Sequence, residues 1–393
     1  MGRPLGHFVT RTYRGIPGAQ TAAERRPAKY RAFIPDPLAK LELSLPSHVA
    51  AELETATQAV RTLNASPPKL ASLEAVARYL LRQESTASSR IEGLALGHRR
   101  IALTDFDLEG SDDHEAADIV GNIRAMAQAV ELGQTVSEIR PEHLQGVHRT
   151  LLRFGEDEPI AGKWRNSQGW IGGSSPTKAT YVPPPHTEVE RLMDDLCAFI
   201  NRADVPVLAQ AAIAHAQFEN VHPFADGNGR VGRCLIHLVL RRRGLAPIFV
   251  PPISVVLAAR RDAYFAGLTE FRRGDVEQWL SFFADVAAVA ARRAEELSAA
   301  IDAREAEWLG RFTRQPRSDS TVHRVIRLLP AHPVLSIPVV QTELGVSDVA
   351  AGNALNELTS VDVIRLVNGK VRGRVWECPD MYELMSDFER SLS

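Results

Sequence analysis

The twelve residues His222-Pro223-Phe224-Ala225-Asp226-Gly227-Asn228-Gly229-Arg230-Val231-Gly232-Arg233 constrain this chain more than any other stretch. Gly227 and Gly229 admit backbone angles barred to other residues, so successive N–H groups can turn inward as an anion nest. From Val231 to Arg242, the apolar Val231, Leu235, Leu238 and Val239 recur at helical spacing. The glycine loop therefore opens a helix, and a helix N-terminus favours negative charge. Arg230 and Arg233, three apart on the first turn, can grip phosphate oxygens with planar forks. Asp226 suits a hard cation such as magnesium, which binds phosphates through one or two carboxylates. His222 titrates near neutral pH and can take a proton from an incoming hydroxyl. Alone, each piece has a plainer reading: a structural histidine, a Gly-Asn-Gly turn, two solvated arginines. Together they read as a phosphate site. A zinc reading through His215, His222 and Asp226 ranks lower, because Pro223 breaks the helix that would align two of the ligands and the arginines oppose a metal.

This stretch resembles the signature of the Fic family, H-x-F-x-[DE]-G-N-G-R-x-x-R, at every fixed position. The resemblance implies transfer of AMP from ATP to a Ser, Thr or Tyr hydroxyl of a protein, this chain itself being one candidate target. It implies His222 as general base, Phe224 as core anchor and Asp226 as the Mg²⁺ ligand. Asn228 and the loop amides would meet the α-phosphate, and Arg230 and Arg233 the outer phosphates. The implied nucleotide-binding set comprises Gly227, Asn228, Gly229, Arg230, Val231, Gly232 and Arg233, with Tyr264 added where relatives often place an aromatic near the base. Tyr264 reads nearly as well as a core aromatic. Other readings stay open: transfer of a phosphate or another nucleotide half, removal of AMP from modified proteins, or a transcription regulator with a ligand-sensing domain.

A second motif lies upstream, Ser88-Ser89-Arg90-Ile91-Glu92-Gly93. Taken alone it is a helix end with a glycine cap. Beside the signature, Ser88, Glu92 and Gly93 resemble the family's inhibitory pattern, [ST]-x-x-x-E-[GN]. The resemblance implies that Glu92 pairs with Arg230 and denies it to the γ-phosphate of ATP, as in members inhibited by their own N-terminal helix.

At 393 residues the chain has room for two or three domains. The expected fold is mostly α: a Fic-type helical bundle with a β-hairpin flap, plus a small C-terminal winged-helix domain. Residues 1–31, with seven Lys or Arg against Glu24, read as a flexible basic arm. Residues 32–112 form an N-terminal helical region with the inhibitory motif, including a helix over 71–82 and an acidic loop over 101–111. Residues 113–312 make the catalytic domain, 313–320 a linker and 321–393 the winged helix. Within 160–185, two apolar-aromatic runs around a Ser/Pro turn suggest a hairpin. The resemblance makes it the flap, with Trp170, Ile171, Gly172 and Gly173 docking a target segment by strand addition.

Charge bears on partners. The net charge is −2, so no global pull on nucleic acid or membrane is expected. Residues 317–393 hold 8 Lys or Arg against 10 Asp or Glu. The predicted recognition helix, Ser347 to Thr359, carries Asp348 and Glu357 and no Lys or Arg; only a wing with Lys370, Arg372 and Arg374 is basic. Protein contact or a homodimer therefore ranks ahead of DNA reading, which needs positive charge against phosphates. Cys197, Cys234 and Cys378 form no metal-ligand pattern. No apolar run reaches a membrane-spanning length and no signal-peptide core is seen, so a cytoplasmic protein is expected.

Overall fold

Ala209, Ala211, Ala212, Ala214 and Ala216 favour a helix over residues 207–221, alanine having the highest helix propensity. Their small side chains also let neighbours approach on every side, and Leu208 through Phe218 are buried without a break. In the computed structural model, which describes residues 5–14, 27–65, 73–107, 112–367 and 373–391, this helix is the core of the first of two compact units.

That first unit comprises residues 1–57, 124–245 and 260–285. It holds strands β1 (Gly6–Tyr13) and β2 (Ala28–Pro35). The second unit comprises 58–123, 246–259 and 286–393. The first helices in chain order are α1 (Ser47–Ala65), α2 (Leu73–Ile91), α3 (His98–Phe106), α4 (His114–Thr135) and α5 (Pro141–Leu152). Then come α6 (Val189–Ile200), the alanine-rich α7 (Val207–Val221), α8 (Asn228–Arg242), α9 (Ile253–Ala259), α10 (Arg261–Arg273) and α11 (Val276–Gly310).

In the first unit α6, α8, α10 and β2 pack on α7. Leu192, Met193, Leu196 and Phe199 of α6 are buried, and Trp279 donates its indole N–H to the Ala212 carbonyl of α7 at 3.0 Å. Gly232 permits the close approach of α8, since a Cβ there would lie 2.5 Å from Glu219 and 3.1 Å from Phe218.

The second unit ends in α12 (Thr321–Leu328), β3 (Val334–Ser336), α13 (Ile337–Leu344), α14 (Asp348–Ser360), β4 (Arg365–Leu366), β5 (Val375–Glu377) and α15 (Pro379–Arg390). The strands form an antiparallel sheet in the order β3-β5-β4. Ser320, Ser336 and Ser347 cap α12, α13 and α14, each accepting a backbone N–H three residues on. The fold is thus mostly helical with small antiparallel sheets. The turn expected at Asn368-Gly369, with Lys370 and Arg372, lies outside the described residues.

Three expectations need correction. The segment read as a basic arm, residues 1–31, holds β1 and the first half of β2, paired antiparallel from Gly6↔Pro35 to Tyr13↔Ala28. Just beyond it Ala32, Phe33 and Ile34 of β2 are buried, where a helical region was expected. The loop expected over 101–111 is largely α3, whose Ile101, Ala102 and Thr104 are buried despite the flanking acids.

The helix expected to end at Arg82 runs on to Ile91. Its polar stretch, Gln83 to Ser89, is buried, and Ser85 and Ser89 return their hydroxyls to the carbonyls four residues back. Glu84 accepts the Ser254 amide of α9 at 2.6 Å, and Asn122 of α4 donates to the Ser85 carbonyl at 2.8 Å. Burial, with Glu84, Ser85 and Ser89 hydrogen-bonded while the Gln83 and Thr86 side chains make no hydrogen bond among the described residues, overrides the weak helix propensity of that stretch.

Residues 321–393 fall in the same unit as 58–123. Arg90 meets Glu389 at 2.7 Å and His98 meets it at 3.2 Å. Arg99 and Arg365 both engage the buried Glu377, at 2.7 and 2.8 Å.

Candidate active site

Pro223 disfavours the right-handed helical region at the residue before it, so α7 cannot run through His222. His222 instead takes the left-handed conformation, φ 48° and ψ 61°, and caps the helix by donating its N–H to the Phe218 carbonyl at 2.8 Å. A non-glycine residue in that region carries strain and needs external support. Arg165 gives it: Nε donates to the His222 carbonyl at 2.8 Å and Nη2 to the Pro184 carbonyl at 2.6 Å. The Arg165 amide donates to the Pro223 carbonyl at 2.9 Å. Burial lowers the Arg165 pKa to about 10, which leaves it charged at neutral pH. The His222 side chain is 22% exposed, with Nδ1 3.9 Å from Glu219 Oε2 one turn back.

Phe224 anchors the loop. Its ring is buried, stacked on His148 at 3.7 Å and tilted against Trp164 at 4.7 Å. His148 receives the Gly162 amide on Nδ1 at 2.9 Å, so its proton sits on Nε2, which donates to the Asp226 carbonyl at 3.1 Å. Burial holds its pKa down at about 4 and keeps it neutral.

Gly227 follows at φ 74°, and a Cβ there would lie 2.9 Å from Leu151 Cδ2. Asn228 opens α8. Its Oδ1 accepts the Phe224 N–H at 2.8 Å and its Nδ2 donates to the Phe224 carbonyl at 2.9 Å. The Asn228 side chain thus closes the loop on itself. Gly229 lies within the first turn of α8 instead of in a left-handed turn. The Val231 N–H bonds back to the Gly227 carbonyl at 3.0 Å. The N–H groups before it precede the helix's own carbonyls and face outward along the axis.

Arg230 is 5% exposed. Its Nη2 meets Asp226 Oδ2 at 3.0 Å, while Nε and Nη1 are buried with no hydrogen bond among the described residues. A buried fork with two nitrogens lacking acceptors is costly unless a further acceptor arrives. Arg233, one turn on, is also buried. The Asp226 carboxylate is 55% exposed.

Some of the predicted set falls elsewhere. Tyr264 is a core residue, not a base-stacking one: it is 1% exposed, hydrogen-bonded to His215 Nε2 at 2.8 Å and packed against Trp279. His215 is equally buried, and burial lowers its pKa to about 3. In the flap, Ile171 bridges Tyr181 antiparallel, with the Ile171 N–H on the Tyr181 carbonyl at 2.8 Å. Trp170 and Ile171 are exposed, and Gly172 and Gly173 form the turn beyond them. Ser88, Glu92 and Gly93 lie in the second unit at the end of α2. There Leu94 N–H meets the Ser89 carbonyl at 3.1 Å and Gly93 N–H the Arg90 carbonyl at 2.9 Å, a Schellman ending with Gly93 at φ 93°. The glycine of that motif therefore has its cap role whatever Glu92 does.

Three supporting residues escaped the sequence reading: His148, Arg165 and Tyr181, whose hydroxyl donates to the Asn220 carbonyl at 2.5 Å. The trace of His148 is a polar residue on the apolar face of Leu144, Val147 and Leu151.

The architecture and this loop define a Fic-type helical protein. The Fic/DOC family pattern matches residues 138–240, and the Fic/DOC family N-terminal pattern matches residues 50–131. It is 29% identical over 192 residues to protein adenylyltransferase Fic of Drosophila erecta, covering 48% of this chain and 36% of that protein. It is 28% identical over 210 residues to protein adenylyltransferase fic-1 of Caenorhabditis elegans, covering 52% and 39%. The chain therefore spans well under half the length of these relatives. Among solved structures, a Fic family protein from Desulfovibrio desulfuricans superposes with a TM-score of 0.52 at 21% identity, over 86% of this chain and 97% of that one. Fic-1 of C. elegans superposes with a TM-score of 0.50 at 21% identity, over 63% and 71%. At such identity the structural likeness concerns the fold alone.

Proposed function

We propose that the chain transfers AMP from ATP to a protein hydroxyl. The observation that carries this reading is the buried Arg230 fork, with two nitrogens lacking acceptors, on the first turn of a helix whose N-terminal amides follow directly on His222. A triphosphate supplies the missing acceptors and the negative charge that a helix start favours. His222 takes the proton of the attacking hydroxyl, and the Arg165 clamp on its carbonyl positions it. The amides at the helix start, from Asn228 to Arg230, stabilise charge on the transferred group, Arg230 and Arg233 hold the outer phosphates, and pyrophosphate leaves. Asn228 serves by keeping the loop closed on Phe224.

The site fits magnesium in the mode of one carboxylate plus phosphates: Asp226 presents a half-exposed carboxylate beside the helix start. When bound, the ion would neutralise phosphate charge there. The exposed segment at Trp170 and Ile171, which makes one bridge to Tyr181, would take the target segment by backbone pairing. Glu92 would restrain the reaction by competing for Arg230.

Intact-mass spectrometry after incubation with ATP and Mg²⁺ tests the reaction class. A gain of one AMP moiety, on this chain or on an added target, is expected. A gain of a phosphate alone would replace the reading with phosphate transfer, and loss of AMP from a pre-modified protein would replace it with the reverse reaction.

A further inference from the structure

A second concave surface lies beside the flap, outside the loop and helix start described above. It is a cavity of about 500 Å³ between the paired strands β1 and β2, the flap segment Thr180 to Val182 and α10. Lys29 and Arg31 enter it from β2 and Arg272 and Arg273 from α10, and among the described residues no Asp or Glu lines it. Lys29 and Arg31 are two apart on a strand and so point to one face, together with Phe33 and its cross-strand partner Phe8. Phe8 is 48% exposed.

Two of the cations are held on aromatic faces. The Arg31 guanidinium sits 4.3 Å over the Phe8 ring and that of Arg272 3.5 Å over the Tyr181 ring. Arg272 Nε also donates to Asn220 Oδ1 at 3.0 Å. Stacking of this kind fixes a guanidinium plane while leaving its outer edge for a carboxylate. Arg273 pairs with Glu270, which lies outside the lining, at 2.7 Å.

The groove is continuous with the flap, because the Phe33 N–H donates to the Val182 carbonyl at 2.9 Å and so ties β2 to the flap segment. Tyr181, under Arg272, also donates its hydroxyl to the Asn220 carbonyl, two residues before His222.

We propose that this groove docks an acidic segment of the protein that receives the transferred group. The proposal rests on the transfer reading only for which protein brings the segment. Cations at alternate positions of β2 match carboxylates at alternate positions of an extended chain, and the rings supply an apolar floor for the residues between. Single exposed ion pairs bind weakly, so selectivity comes from several acting together.

The test is fluorescence anisotropy with three labelled peptides of one length around a central Ser, alternating in Glu, in Gln or in Lys, at low and at near-physiological salt. The Glu peptide should bind tightest and weaken with salt. Lys29→Glu with Arg31→Glu should weaken it about tenfold, as charge reversal at complementary surfaces does, and leave the Gln peptide unchanged. Equal binding of the three peptides to the wild type would overturn the proposal. So would an unchanged Glu-peptide affinity in a charge-reversed protein with wild-type circular dichroism. Should that variant not fold, the peptide series on the wild type and on Arg273→Ala still decides. Binding is read without catalysis: a protein that took the Glu peptide but never gained AMP would refute the transfer reading alone, and one that gained AMP without charge preference would refute the groove alone.

Discussion

At His222 a single residue serves as helix cap and candidate base, and substitutions separate the two roles. His222→Ala should abolish transfer while ATP still binds, since the phosphates are held by other groups; loss of a general base costs about 10²–10⁴-fold. His222→Asn should be equally inactive yet more stable than His222→Ala, because asparagine tolerates the left-handed angle. Radiolabel transfer and thermal melts measure the two effects, and wild-type labelling by either variant would remove His222 from the mechanism. His148, beneath Phe224, sets a pH dependence. Its pKa lies at about 4 in the folded protein against an ordinary 6.5. Between those values the unfolded chain binds a proton that the folded one refuses. Its contribution is therefore complete above pH 6.5 and is lost as the pH falls towards about 4. His148→Gln should flatten that part of the slope in denaturant midpoints measured across the window. An unchanged slope would show that His148 does not contribute to it.

The element of interest is α2, whose buried polar run ends in the Ser88, Glu92, Gly93 motif. On the proposed competition for Arg230, Glu92→Gly should raise the initial rate of auto-labelling, and Glu92→Gly with Arg230→Ala should be inactive. The expected rise exceeds any gain in ATP affinity, since misplacing the reacting phosphorus by about 1 Å can cost 10²-fold in rate. A Glu92→Gly protein that is folded by circular dichroism and no faster than wild type would leave the motif as the helix ending that Gly93 already makes. α2 is also tied to α15 through Arg90 and Glu389.

Across the whole molecule the bearing of residues 321–393 is the open partner question. Their charge balance and the acid-bearing α14 predict weak, sequence-independent DNA contact at physiological salt. A gel shift of the full chain against random duplex DNA should show little complex. Tight binding with a steep salt dependence would reverse that order of partners. Among the described residues no helix is long and apolar enough to cross a membrane.

The loop from His222 to Arg233 was legible from the sequence because its demands are local. A proline, a glycine that must take a positive φ and an asparagine bonding four residues back lie within one short segment. The amphipathic helices were legible for the same reason, their spacing being written along the chain. What only the tertiary structure decided depends on residues distant in sequence. Burial made Tyr264 a core residue against His215 and Trp279, where the sequence allowed a ring on the base. Antiparallel pairing put β1 and the start of β2 where the basic arm was read. Arg165 became the clamp on His222 across 57 positions, and Arg99 and Arg365 met on Glu377, joining the C-terminal segment to the region of α2 and α3. A hydrogen bond or ion pair between distant positions leaves no periodic trace, because its energy belongs to a pair and the sequence records only the two members.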